Sequence, residues 1–284
     1  MFTKISIYTS VRNGIFGDYH VVDMLKHHLP LADEIVVNEG YSSDHTYEKI
    51  SQISDKIKIV RTHWNDIPLK TWFSQFKNYA RQQCTGDWCI LLDPDEFIPE
   101  WEFDKIKAYL KTTSALIVPL KFTHFYGNYK VYLSNPEKFN WFLLKCSIHK
   151  NIDSMEVVGD GSNVKYRNTN GELTELDSNS KIYAKDYFEA QHFGTVKKAS
   201  RLRQKFSFIS VTHSKAPKWR WALPSFVFDI FPYNWLDPEF LDDLAIYEGP
   251  LIKAVRENPD EFVRDSFKLY HYLANRARKP ENNR

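Results

Sequence analysis

Along the first hundred residues the hydrophobic period switches repeatedly between two and about 3.6. Lys4–Thr9 alternates polar and apolar positions with β-branched residues, which predicts a strand. Asp18–Leu29 places Val21, Val22, Leu25 and Leu29 on one helical face. A second strand is expected at Glu34–Val37, a short helix over Asp44–Gln52 after the turn-rich NEGYSSD, and a third strand at Lys56–Arg61. A helix over Thr71–Cys84 follows, Gly86 breaks the chain, and the unbroken apolar run Trp88–Leu92 reads as a strand buried on both faces. Four strands separated by helices predict a parallel sheet with right-handed crossovers and helices on both faces. Ligands of such sheets bind beyond the carboxyl ends of the strands. Pattern alone therefore singles out Ser10–Asn13, Asn38–Asp44 and Asp93–Glu96.

The later pattern is less regular. Ala115–Phe125, Val131–Leu133 and Trp141–His149 read as strands, the polar stretch 168–181 as a surface hairpin or loop, and Leu251–Ala277 as helices split at Pro259. The expected organisation is one α/β domain over 1–195, with halves at 1–113 and 114–195, and a helical, aromatic-rich extension over 196–284.

Composition narrows the classes. With 43% hydrophobic and 26% charged residues in 284, the chain is a folded domain of enzyme size and not a disordered one. Thirty-eight basic against 36 acidic residues leave a charge of +2, which argues against nucleic acid as the main partner. Cys84, Cys89 and Cys146 are odd in number and lack zinc-site spacing, so they read as reduced thiols. The N-terminus has no secretory pattern, no Asn-x-Ser/Thr sequon occurs, and the apolar stretch Trp221–Leu236 is interrupted by Pro224, Asp229 and Pro232. A cytoplasmic protein without a transmembrane helix is expected. Aromatic residues make 15% of the chain, and rings suit sugars and bases as well as cores. The ring-rich segment Trp219–Trp235 reads as a cover for the sheet's flank, as a lid or acceptor platform, or as a peripheral contact with the inner face of a membrane.

Several motifs are missing: no G-x-G-x-x-G follows the first strand, no P-loop occurs, and there is no G-x-S-x-G elbow. Phosphate chemistry would then fall to a metal. Asp93-Pro94-Asp95-Glu96 closes the fourth strand, and in extended chain Asp93 and Asp95 would point to one side and offer hard oxygen donors to Mg²⁺ or Mn²⁺. The same residues also read as a turn into the helix near Trp101–Leu110.

Two segments resemble the family 2 glycosyltransferases. One is Glu34-Ile35-Val36-Val37-Asn38-Glu39-Gly40 with Ser43-Asp44-His45-Thr46. The other runs from Lys77-Asn78-Tyr79-Ala80 to Gly86-Asp87-Trp88 and the Asp93-x-Asp95 signature. The resemblance covers about residues 4–98. It implies a GT-A (Rossmann-like) fold with a mostly parallel central sheet, a nucleotide-diphosphate sugar donor, a Mn²⁺ or Mg²⁺ cofactor, and inverting transfer to a glycan or lipid-linked glycan hydroxyl. Within it, 1–113 becomes the donor half and 114–195 the acceptor half. By position, Thr9, Val11 and Arg12 would line the nucleotide, Glu39 would face the base or ribose, and Lys77 would stand near the nucleotide. Asp93 would lie near ribose and metal, with Asp95 the principal metal ligand. Asn38 stands where an Asp is common, and Tyr41 is an extra residue in the second loop. An inverting transfer needs a carboxylate base, for which Glu156 is the candidate and Asp160 the alternative. His192 is a candidate third metal ligand, and Lys198, in a basic run with Lys197, Arg201, Arg203 and Lys205, a partner for the leaving diphosphate. A nucleotidyltransferase and a non-catalytic carbohydrate-binding protein are the alternative functions.

Overall fold

The computed structural model describes residues 3–64, 72–139, 143–159, 161–174, 182–198, 200–202 and 241–278. The chain divides into two compact units, Met1–Phe122 with Phe142–Gln191, and Thr123–Trp141 with His192–Arg284. The division falls inside two strands, so it does not follow a single cut along the sequence.

The strands are β1 (Ile5–Val11), β2 (Glu34–Glu39), β3 (Ile57–Arg61), β4 (Trp88–Leu91), β5 (Glu96–Phe97), β6 (Ile117–Tyr126), β7 (Asn128–Leu133), β8 (Leu144–Lys150), β9 (Met155–Val158), β10 (Asn163–Tyr166), β11 (Phe188–Thr195) and β12 (Leu244–Ile246). The helices are α1 (Val21–His28), α2 (Thr46–Ser51), α3 (Trp72–Arg81), α4 (Glu100–Leu110), α5 (Lys253–Glu257) and α6 (Lys268–Arg278).

In the first unit the strand order is β3-β2-β1-β4-β8-β6. The four strands from β3 to β4 run parallel, as the alternating pattern requires, with Ile7 of β1 opposite both Ile35 and Ile90. Beyond β4 the sheet becomes antiparallel through β8 and β6. Every residue of β1 and β4 is buried, as the unbroken apolar run of β4 predicts; in β1 the alternation does not mark a solvent face, and Ser6, Thr9 and Ser10 are buried with the rest. Because the register pairs Val11 with Glu39 and Tyr8 with Leu91, the loops after β1, β2 and β4 leave the sheet at the same end. Tyr8, Val36, Ala80, Cys89, Leu91, Met155 and Val157 share one core cluster beneath α3 and the β9–β10 hairpin.

Helix α1 buries Val21, Met24, Leu25 and His28, so the apolar stripe ends on His28 and not on Leu29 as its period predicts. The imidazole satisfies itself locally. Nδ1 bonds the Met24 carbonyl at 2.8 Å and Nε2 accepts the Ile98 N–H at 3.0 Å. Burial and the neighbouring His27 push its pKa well below the usual histidine value, and the ring is neutral.

The second unit has its own core of Tyr126, Val131, Leu133, Leu202, Leu244, Leu269 and Leu273. There β7 pairs antiparallel with β12 and with the end of β6, and Gly127 makes the connecting turn at φ +70°. The Asn128 amide donates to the Asp265 carboxylate at 3.0 and 3.2 Å, tying β7 to the start of α6. A 3₁₀ turn at Pro259–Phe262 separates α5 from α6, the break expected at that proline. Asp160, Arg203, Lys205 and the aromatic segment 219–235 lie outside the described residues. No helix of the described residues is long and apolar enough to cross a membrane.

Candidate active site

The acidic segment after β4 is a turn, not extended strand. β4 ends at Leu91, and the Glu96 N–H donates to the Asp93 carbonyl at 3.0 Å across Pro94 and Asp95. Asp93 and Asp95 are therefore not like-facing residues of an extended strand, contrary to the expectation from the sequence. Proline at the second position presets the turn, and the Glu96 carboxylate accepts the Asp93 N–H at 2.8 Å, so the turn is closed at both ends.

Two lysines meet this turn. Lys145, fully buried on β8, donates to both Glu96 oxygens at 2.7 and 2.8 Å and to Asp93 Oδ2 at 3.3 Å. Lys77, on α3, pairs with Asp93 Oδ1 and donates to the Gly161 carbonyl at 2.9 Å. Burial alone would raise the Asp93 pKa, but Lys145 and Lys77 outweigh burial and the nearby Asp95 and hold it at about 2. For Lys145, burial opposes the charge and the Asp93 and Glu96 carboxylates outweigh it, so its pKa stands above the usual lysine value. Asp95 is 2% exposed. Among the described residues, the two ammonium groups engage Asp93 and Glu96.

The loops after β1 and β2 are zipped together. The Asp44 carboxylate accepts the Phe16 N–H at 2.6 Å and both donors of Thr46, at 3.1 and 2.5 Å. Ser42 Oγ accepts the Asn13 N–H at 2.8 Å, and Asn13 Oδ1 accepts the Ser43 N–H at 2.9 Å. Glu39, fully buried, accepts the Ser42 N–H at 2.6 Å, the Tyr41 N–H at 3.1 Å and Arg61 Nε at 2.7 Å. Gly40 is required where it stands, since a Cβ would lie 2.7 Å from the Trp64 ring. The extra residue Tyr41, at φ +54°, stacks on His63 at 4.1 Å and lies under the Arg61 guanidinium. Asn38 has a structural reason to be an amide: Nδ2 donates to the Phe76 carbonyl at 3.0 Å while Oδ1 accepts the Thr62 hydroxyl at 2.9 Å. A carboxylate could make only the second bond. Thr9 and Ser10, at the end of β1, have buried hydroxyls with no hydrogen-bond partner among the described residues.

Residues 20–157 match the family model of glycosyl transferase family 2. This segment belongs to that family. The family favours a transferase over the nucleotidyltransferase and binding-protein alternatives. Among solved structures, S. aureus TarS 1–349 is similar at 12% identity and a TM-score of 0.41, over 96% of this chain and 82% of that one. Its complex with UDP-GlcNAc gives 14% identity, a TM-score of 0.43 and coverage of 96% and 87%. Glucosyl-3-phosphoglycerate synthase from Mycobacterium tuberculosis, in complex with Mn²⁺, UDP and phosphoglyceric acid, gives 17% identity and a TM-score of 0.33. The alignment covers 43% of each chain, so this chain spans less than half of that enzyme. No curated protein matches the chain.

Thr9, Val11, Arg12, Glu39, Lys77, Asp93 and Asp95 all belong to the first unit. Glu39 and Lys77 are engaged by protein groups there. Glu156 also lies in it, but the pleat of β9 turns Met155 and Val157 into the core and leaves Glu156 half-exposed, ion-paired with Arg167. Asn78 holds β9 against α3, exchanging two bonds with Val157 at 2.8 and 2.9 Å. His192 belongs to the second unit, where its Nδ1 lies 2.7 Å from Nδ1 of the buried His124. Lys198 is exposed in that unit at the start of a short helical stretch. Among the described residues no group of three His, Cys, Asp or Glu side chains could hold a metal ion unaided. Lys145 is the residue the pattern reading passes over. Its signal is a lysine inside the apolar run WFLLKCSIH.

Proposed function

We propose that the chain transfers a sugar from a nucleotide-diphosphate sugar to a glycan or glycolipid hydroxyl, using a divalent cation at the Asp93–Glu96 turn. The observation that carries this reading is the turn itself: three carboxylates gathered beyond the end of a parallel strand, with Asp93 and Glu96 held by Lys77 and Lys145. Its donors are hard oxygens, which fit Mn²⁺ or Mg²⁺, and two aspartates leave most of the coordination to the donor phosphates and water. Asp95 and Asp93 are the residues that would hold the cation. When bound, the cation supplies charge neutralisation for the leaving diphosphate.

The chain's own residues do the rest. The end of β1 and the residue after it, Thr9, Val11 and Arg12, are the segment that would line the nucleotide. The loop zipped by Asp44 and Glu39 fixes the wall beside it. Lys77, 3% exposed and seated on α3, keeps Asp93 ionised and oriented. The acceptor hydroxyl must lose its proton as it attacks. Glu156 can take that proton only after giving up part of its pair with Arg167, which makes it the residue to test first. Glu156→Gln lowering kcat by at least about 100-fold with donor binding intact supports Glu156 as base, whereas full activity removes it. His192→Ala tests the third metal ligand in the same assay.

The deciding experiment is a thermal-shift series of nucleoside diphosphates and their sugars with Mn²⁺, Mg²⁺ or EDTA, on the wild type and Asp95→Asn. A ligand that binds only folded protein raises the melting temperature. A metal-dependent shift with one nucleotide, lost in the variant, supports the reading. No shift with any nucleotide in folded protein refutes it.

A further inference from the structure

The β4–β8 register pairs Trp88 with Lys150, Cys89 with His149 and Ile90 with Ile148. Further along β8, three residues before Ile148, stands Lys145, whose side chain reaches the turn that follows β4. The lysine is thus placed by the sheet, beneath the acidic turn, with no exposed atom. Its Nζ contacts both oxygens of Glu96, Glu96 in turn accepts the Asp93 N–H, and Nζ also reaches Asp93 Oδ2. The remaining Asp93 oxygen belongs to Lys77. Each oxygen of Asp93 therefore has its own lysine, one from the sheet and one from α3. The Phe122 ring lies 5.8 Å from Lys145 Nζ and helps keep water from the ammonium.

We propose that Lys145 is a positioning residue for donor binding: anchored by Glu96, it fixes the orientation of the Asp93 carboxylate and the shape of the turn that carries Asp95. This rests on the reading of the turn as the metal and nucleotide site. Lys145 is buried under the turn and touches neither sugar nor acceptor in this role. Its loss should fall on the binding of metal and nucleotide more than on kcat.

Removing Lys145 alone would strand a buried Glu96 carboxylate, so the informative variant is the pair Glu96→Gln/Lys145→Met. Its side chains are close in size to the originals, and the amide oxygen introduced by Glu96→Gln can still accept the Asp93 N–H. The formal charge of the cluster also stays the same: three carboxylates and two lysines give −1, and two carboxylates and one lysine again give −1. A change in binding then reports the placement of Asp93, not the net charge. Calorimetric titration with Mn²⁺ and each of UDP, GDP, ADP and CDP is run on wild type and variant, with melting curves alongside and donor KM and kcat where turnover is found.

The expected result is a cooperatively melting variant whose Kd for metal and nucleotide rises at least tenfold, with a matching rise in donor KM and a smaller change in kcat. A folded variant that binds as tightly as wild type overturns the proposal. If the double variant does not fold, Lys145→Arg takes its place. It keeps the charge while moving the donor atoms, and wild-type binding in the folded Lys145→Arg protein overturns the proposal equally. If wild type itself binds none of the four nucleotides with Mn²⁺, the transferase reading fails and the positioning role falls with it.

Discussion

His149 lies on the same strand as Lys145 and makes a test of whether β8 is as tightly buried as the site requires. Its Nε2 accepts the Tyr8 hydroxyl at 3.1 Å and its Nδ1–H donates to the Lys150 carbonyl at 2.8 Å. Burial, aided by the nearby Arg81, lowers its pKa from 6.5 to about 3, although the Lys150 bond works the other way. A histidine whose folded pKa is depressed contributes stability that is complete above the unfolded pKa and is lost as pH falls from there toward the folded value. The window is therefore pH 6.5 down to about 3. At pH 5 the loss is 1.5 pH steps at about 1.4 kcal/mol each, or about 2 kcal/mol. His149→Gln cannot titrate in this range and keeps an acceptor near Tyr8. At pH 7 the variant should be less stable than wild type by about 1 kcal/mol, for the lost Lys150 bond. At pH 5 the order should invert. Urea unfolding at the two pH values measures this, with the midpoint difference moving by about 1 M for m near 2 kcal/mol/M. Carboxylates and His28 titrate in both proteins and cancel in the difference. A wild-type-to-variant gap equal at pH 7 and pH 5 would refute a neutral, buried His149.

Asn38→Asp restores the residue common in family 2 but removes the donor to the Phe76 carbonyl and buries a carboxylate at 0% exposure; the melting temperature should fall by several degrees, for about 1–3 kcal/mol, without tighter nucleotide binding. Asp44→Ala unzips the loops after β1 and β2, at about 1–2 kcal/mol of stability, and should raise the donor KM; unchanged protection of the Phe16 amide in hydrogen exchange would contradict the bond drawn here.

Residues up to about 110 are legible because each element there carries its own period; parallel pairing of successive strands accounts for β1-β2-β3, whereas β4 joins the sheet on the other side of β1, beside no strand adjacent to it in sequence. Even so, the carboxyl end of β4 departs from its pattern. Asp93-Pro94-Asp95-Glu96 fits both an extended end and a turn, and what decides is the Glu96 side chain returning to the Asp93 amide, a contact no spacing rule weighs. Lys145 stays hidden for a related reason. A lysine in an apolar strand is a visible anomaly, but its partners Asp93 and Glu96 lie 52 and 49 residues away, and only the β4–β8 register joins them. The β9–β10 hairpin, four residues per strand, is too short to show a period. Its attachment comes from Asn78 and Lys77, which the sequence presents only as part of a family signature. The second unit joins Thr123–Trp141 to residues beyond 191, a long-range association that local periodicity does not encode.

The charge count at the acidic turn explains how such a site can exist before its ligand arrives. At an effective dielectric near 20, two carboxylates about 4 Å apart repel by about 4 kcal/mol, so three of them unrelieved would open the turn. Lys77 and Lys145 relieve most of this, and each also fixes one oxygen of Asp93. On the proposed reading, Asp95 serves the bound cation and not the fold, the situation in which a neutral substitution leaves stability intact or raises it and costs function. Asp95→Asn makes that substitution with almost no change in shape, at a residue only 2% exposed. It should melt at or above the wild-type temperature in EDTA while losing the metal-dependent shift with nucleotide. A variant that instead melts well below wild type would mean that Asp95 holds the fold together, and the charge on the turn would then need a structural explanation in place of a functional one.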